Sequence, residues 1–67
     1  MGFVVQVTAN GFDRVHWIGE RDKLGAPLLM PRREEARVFP TQREAQSMAW
    51  QVVMFRGASV RYLILEE

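Results

Sequence analysis

His16 is the only imidazole in the chain, so any histidine-based general-base chemistry would have to run through it. A hydroxyl nucleophile needs such a base within hydrogen-bond reach and a third group to orient the base. The two serines, Ser47 and Ser59, lie far from His16 in sequence. His16 itself stands beside Trp17 and two residues from Arg14 in an alternating, strand-like stretch, and there it reads as a polar-face residue. Paired carboxylates do acid–base work when their surroundings push their pKa values apart. Glu34-Glu35 and Glu66-Glu67 instead fall in loop-like or terminal positions and read as solvated. A metal site would have to draw on His16, Glu20 and Asp22, whose spacing does not put three ligands on one face. The absence of cysteine excludes a thiolate zinc site and a disulfide framework. Gly19, Gly25 and Gly57 are isolated, and they form no phosphate-cradling loop. The expectation is a protein that is not an enzyme and uses no cofactor, metal or small-molecule ligand.

The cations offer a second chemistry. Eight of the nine are arginine, Lys23 being the exception, and the formal net charge is only +1. Arginine suits bidentate contacts to carboxylate or phosphate and flat protein interfaces. Arg32, Arg33, Arg37 and Arg43 gather before and at the start of a predicted helix. With Trp17, Trp50 or Tyr62 nearby they could supply phosphate contacts and base stacking. Glu34, Glu35 and Glu44 interleave with them and cancel much of the local field. A small nucleic-acid binder using these four arginines is therefore the alternative reading, behind one based on apolar surface.

The elements that carry these residues belong to one small domain of 67 residues, 48% of them hydrophobic. The N-terminus lacks the basic and long apolar regions of a signal peptide, and no apolar run approaches a membrane span. A soluble, cytoplasmic protein that makes no membrane contact is expected. Phe3 to Thr8 alternates as a strand with Phe3, Val5 and Val7 on one face. Asn10-Gly11 then signals a type I′ hairpin turn. The return strand is predicted from about Phe12 to Ile18, with Val15 and Trp17 inward and Arg14, His16 and Ile18 outward. Between Gly19 and Glu35 the prolines break regular structure, and Pro31 to Glu35 suits a single helical turn. Leu28-Leu29-Met30 is too apolar to be a solvated loop and is expected to cover another surface. Ala36 to Phe39 is read as a short edge strand.

From Thr41 to about Arg56 the pattern is helical, opened by the capping-box pair Thr41 and Glu44 and ended by Gly57 in a left-handed conformation. Ala45, Met48, Ala49, Val52 and Phe55 form an inner stripe. Arg43, Ser47, Trp50 and Met54 form a second line on the opposite side. Ser59 to Glu66 is a last strand that places Val60, Tyr62 and Ile64 against Arg61, Leu63 and Leu65, so both of its faces are largely apolar. That suits a central strand, or one whose second face is covered. The order β-β-(β)-α-β predicts an α+β two-layer sandwich, one helix on a three- or four-stranded sheet, with the last strand beside the first.

Two surplus apolar surfaces remain: the outer helix line, and the sheet face carrying Val4, Ile18, Leu63 and Leu65. Burying one such side chain contributes about 1.5–3 kcal/mol, so leaving several exposed is costly for a small domain. One loop cannot cover both. The function expected is thus a non-enzymatic protein-interaction module or a homodimer. Its contacts would come from Arg43, Ser47, Trp50 and Met54 on the helix, and from Arg14, His16, Ile18, Arg61, Leu63 and Leu65 on the sheet. The stretch Ala36-Arg37-Val38-Phe39-Pro40-Thr41-Gln42-Arg43-Glu44-Ala45 resembles a pattern, A-x-x-F-x-T-x-x-E-A, common in small phage, prophage and plasmid proteins. That resemblance implies a compact β-β-α-β domain and carries no catalytic residues over. Some small phage proteins of this size inhibit host machinery, anti-CRISPR proteins among them, so it also implies a modulator of a host protein as one form of the interaction.

Overall fold

The computed structural model describes residues 1–57 and 59–67. Four strands, β1 (Phe3–Ala9), β2 (His16–Arg21), β3 (Pro27–Met30) and β4 (Val60–Glu66), form one antiparallel sheet in the order β3-β2-β1-β4. One helix, α1 (Gln42–Arg56), packs on a single face of it, giving the expected α+β sandwich with β4 beside β1. The core between the layers is Val5, Val7, Ile18, Phe39, Ala45, Met48, Ala49, Val52 and Val60.

The helix begins as its cap dictates. Thr41 is extended, and its Oγ1 accepts from the Glu44 N–H at 3.2 Å, satisfying a donor the first turn leaves free. At the other end Gly57 closes the helix, donating its N–H to Val53 O at 2.8 Å. Its φ of 99° with ψ of −177° is not the left-handed helical conformation expected but a region open essentially to glycine alone. Phe55, expected in the buried stripe, is exposed and lines an open groove with Ala26 and Pro27.

The first hairpin is longer than a two-residue turn. Phe12 N–H donates to Ala9 O, but among the described residues only glycines take positive φ, so Asn10 cannot complete a type I′ turn. Residues 10–15 form the connection, with the Phe12 and His16 rings 4.6 Å apart, and β2 starts at His16 rather than Phe12. Val7 pairs with His16 and Gln6 with Trp17. Opposite residues share a face, so His16 and Ile18 point toward the helix and Trp17 away from it. This reverses the inward and outward assignment expected for β2. Pairing position, not the size of the indole, decides the face.

The chain between β2 and the helix does three jobs. Leu28-Leu29-Met30, expected to cover another surface, is instead part of the third strand, Pro27–Met30, because it pairs with β2 and packs Leu29 on the core. The helical turn expected near Pro31 to Glu35 is a 3₁₀ turn at Arg33–Glu35. Ala36 to Phe39 is not the edge strand expected: Arg37 N–H bonds Ile18 O, while Phe39 exchanges two backbone bonds with Phe3. Residues 37–39 form a wedge in the fork where β1 and β2 part, and they seat Phe39 in the core. With both edges thus assigned, β4 is an edge strand, so of the two readings of its apolar faces the central position does not hold.

Candidate functional site

The turn from β2 to β3 is rigidly built. Asp22 Oδ1 accepts from the N–H groups of Leu24 (2.8 Å) and Ala26 (2.9 Å), and the backbones of Asp22 and Ala26 are also bonded. Arg21 ties this turn to the helix: one guanidinium nitrogen donates to Gly25 O at 2.6 Å, another to Gln51 Oε1 at 3.3 Å. Such an Asx-type turn needs its aspartate and its glycine at positive φ, here Gly25 at 85°. It has no structural need for a leucine at the tip. Leu24 is nonetheless there, 94% exposed.

Across from Leu24 stands the C-terminal half of α1. Trp50, Met54 and Phe55 are 56%, 78% and 78% exposed. Leu24, Pro27, Gln51, Met54 and Phe55 line a groove of about 520 Å³ between turn and helix. Trp50 precedes Met54 by one helical turn and extends the apolar ridge toward Ser47 and Arg43, both exposed. The four helix residues expected from sequence therefore do form a solvent-facing line. Phe55 and Leu24 enlarge it. Phe55 was hidden in the sequence by its place in the inner stripe, and Leu24 by its place in an unassigned loop.

The sheet surface is different. Ile18 is fully buried in the core, His16 faces the helix side against Phe12, and Arg14 lies in the β1–β2 connection. None of these three lies on the open face expected to carry them. Arg61, Leu63 and Leu65 do share the outer face, opposite Thr8, Gln6 and Val4. Much of that face is covered by the chain itself. The Arg33 guanidinium lies 5.3 Å from the Trp17 ring centroid, and a Cβ added at Gly19 would stand 2.6 Å from Met30 Cγ and 3.4 Å from Glu35 O. Trp17 is buried beneath this cover and Val4 is buried as well, while Leu63 remains 55% exposed.

The arginines of the alternative reading are divided. Arg33 stacks on Trp17 and pairs with Glu67 at 3.8 Å, and Arg37 lies over the Phe39 ring at 5.0 Å. Arg32 and Arg43 are exposed at opposite ends of the segment leading into the helix. The groups weighed for catalysis are dispersed. His16 Nδ1 lies 3.2 Å from Arg14 O, Ser47 is on α1, and Ser59 precedes β4. Among the described residues no three His, Asp or Glu side chains group as metal ligands would, and no helix is long and apolar enough to cross a membrane. Comparison with protein-family models, with curated proteins and with solved structures found no match to this chain.

Proposed function

We propose that this protein is a non-enzymatic interaction module that binds another protein through the ridge of Trp50, Met54 and Phe55 and the groove facing Leu24. The observation that carries this reading is the convergence of exposed Leu24, Met54 and Phe55 on one groove, with exposed Trp50 one helical turn away and the opposing turn braced by Asp22 and Arg21. Contiguous apolar surface of this kind marks binding sites, and tryptophan, methionine and arginine are enriched in interfaces. Arg43 at the far end of the line supplies a directional polar contact at the rim. A partner helix or loop bearing two or three apolar anchors fits a groove of this shape. One such partner is a host protein that a phage- or plasmid-borne chain of this size would modulate.

The test is affinity capture from the native host with the wild-type chain and with Met54→Asp/Phe55→Asp. Both altered residues are exposed, so the variant should keep its thermal transition. The expected result is a protein retained by the wild type and lost by the variant. Equal capture by both would overturn the assignment of the ridge. A gel shift with DNA or RNA that weakens with salt and disappears in Arg32→Ala/Arg43→Ala would replace it with the nucleic-acid reading.

A further inference from the structure

The two edges of the sheet are unequal. β3 has four residues, begins with Pro27, and meets β2 through a bulge between Ile18 and Arg21. These are the usual devices that stop an edge from pairing with another chain. β4 has seven residues in unbroken pairing with β1 and contains neither proline nor lysine.

The direction of its free backbone groups can be read from the hydrogen bonds. Glu67 N–H donates to Gly2 O at 2.7 Å, which extends the β1–β4 pairing by one hydrogen-bonded pair. Such pairs alternate along an antiparallel ladder, so Leu65, Leu63 and Arg61 also turn their backbone groups toward β1. Phe3 agrees with this from the other side: it spends its N–H and C=O on Phe39, away from its β4 partner Glu66. Tyr62, Ile64 and Glu66 therefore direct their N–H and C=O outward from the sheet. Val60 would do the same, but its N–H already bonds Gly57 O at 3.2 Å.

We propose that β4 pairs antiparallel with β4 of a second copy of this chain, centred on Ile64, to give a continuous eight-stranded sheet. A two-fold axis normal to the sheet makes each residue face one whose number is mirrored about the centre. Centring on Ile64 places Ile64 opposite itself and Tyr62 opposite Glu66 of the second copy. Those three residues are the ones whose N–H and C=O are both turned outward, and Val60 is left with its turn. On the outer face the same alignment sets Leu63 opposite Leu65 of the second copy, partly covering the exposed Leu63. It also sets Arg61 opposite Glu67 of the second copy, an opposite-charge pair that symmetry makes twice. Glu67 lies on that face, as its ion pair with Arg33 shows. Centring on Leu63 instead would place Arg61 against Leu65 and require the Val60 N–H that Gly57 holds.

This inference stands apart from the helix ridge. Its test is sedimentation equilibrium of the full chain over a wide concentration range. The wild type should be a dimer. Arg61→Glu and Glu67→Arg should each weaken dimerisation by several-fold to about thirtyfold, and Arg61→Glu/Glu67→Arg together should restore it. Glu66→Pro should abolish the dimer while leaving the circular dichroism spectrum intact, since the lost N–H points away from β1. A monomer at every concentration would overturn the proposal. So would a dimer indifferent to the charge reversals, or one that Met54→Asp dissociates and the β4 variants leave intact.

Discussion

Trp17 and Trp50 both stand on the side of their element turned away from the shared core, yet Trp17 is 6% exposed and Trp50 56%. The difference lies in what the rest of the chain does. The segment after β3 crosses the sheet's outer face, lays Arg33 on the Trp17 ring, and is pinned beyond it by Arg37 to Ile18 and by Phe39 to Phe3. The segment between β2 and β3 passes beside the helix but is held by Asp22 and Arg21 in a turn that lifts Leu24 into solvent. A chain of 67 residues has one stretch long enough to serve as a cover, and it is spent on the sheet. The helix ridge is left as surface that the fold does not use.

The contrast predicts very different costs for removing each ring, and the largest belongs to Trp17. Trp17→Ala takes away a buried aromatic beneath a cover that cannot collapse without breaking its own hydrogen bonds. A loss of about 3–5 kcal/mol is expected. For a chain of this length the total stability is on the order of 3–10 kcal/mol, so urea unfolding at 25 °C should show roughly a third of it or more gone. A loss below about 1 kcal/mol would mean that the cover contributes little and that the two tryptophans are alike.

Gly19→Ala probes the same cover from beneath. The new methyl would press on Met30 and on the backbone of Glu35, and overpacking of this kind costs about 1–3 kcal/mol. Thermal denaturation should show the loss, and an unchanged midpoint would place the Arg33–Glu35 turn farther from the sheet. Arg33→Ala is milder. A guanidinium on an indole, with a half-exposed partner in Glu67, is worth about 0.5–1 kcal/mol, and the variant should also raise the solvent quenching of Trp17 fluorescence. Destabilisation without a change in quenching would show that Arg33 acts elsewhere.

The same contrast explains what could be read from the residues alone. The helix was legible because its signals are local: Thr41 and Glu44 lie three residues apart, and Met48, Ala49 and Val52 repeat within the element itself. β4 was legible in its alternation and in its place beside β1, but not as an edge, because an edge strand whose outer face carries leucines looks like a covered one. β2 misled, since its facing is fixed by how a six-residue connection aligns it with Val7, and Asn10-Gly11 signals a turn without setting the length of the connection. The cover over Trp17 was beyond reach. It depends on a wedge at residues 37–39 held by bonds to strands about twenty and thirty-five residues earlier, and no local pattern encodes that fork.

Trp50→Ala should have the smallest effect on stability and is the sharpest test of the contrast. A little under half of this residue is shielded, and in the middle of a helix alanine recovers part of that loss through its higher helix propensity. The net change is expected within about 0.5 kcal/mol, which for a domain of this size moves the thermal midpoint by no more than about 2–4 °C. Against this, the interaction proposed for the ridge should be lost, because a central tryptophan in an interface commonly costs about 2 kcal/mol or more when truncated. A stability loss of about 2 kcal/mol or more would place Trp50 in packing within its own chain, as Trp17 is. In that case the asymmetry between the two rings, and the spare surface inferred from it, would both fall.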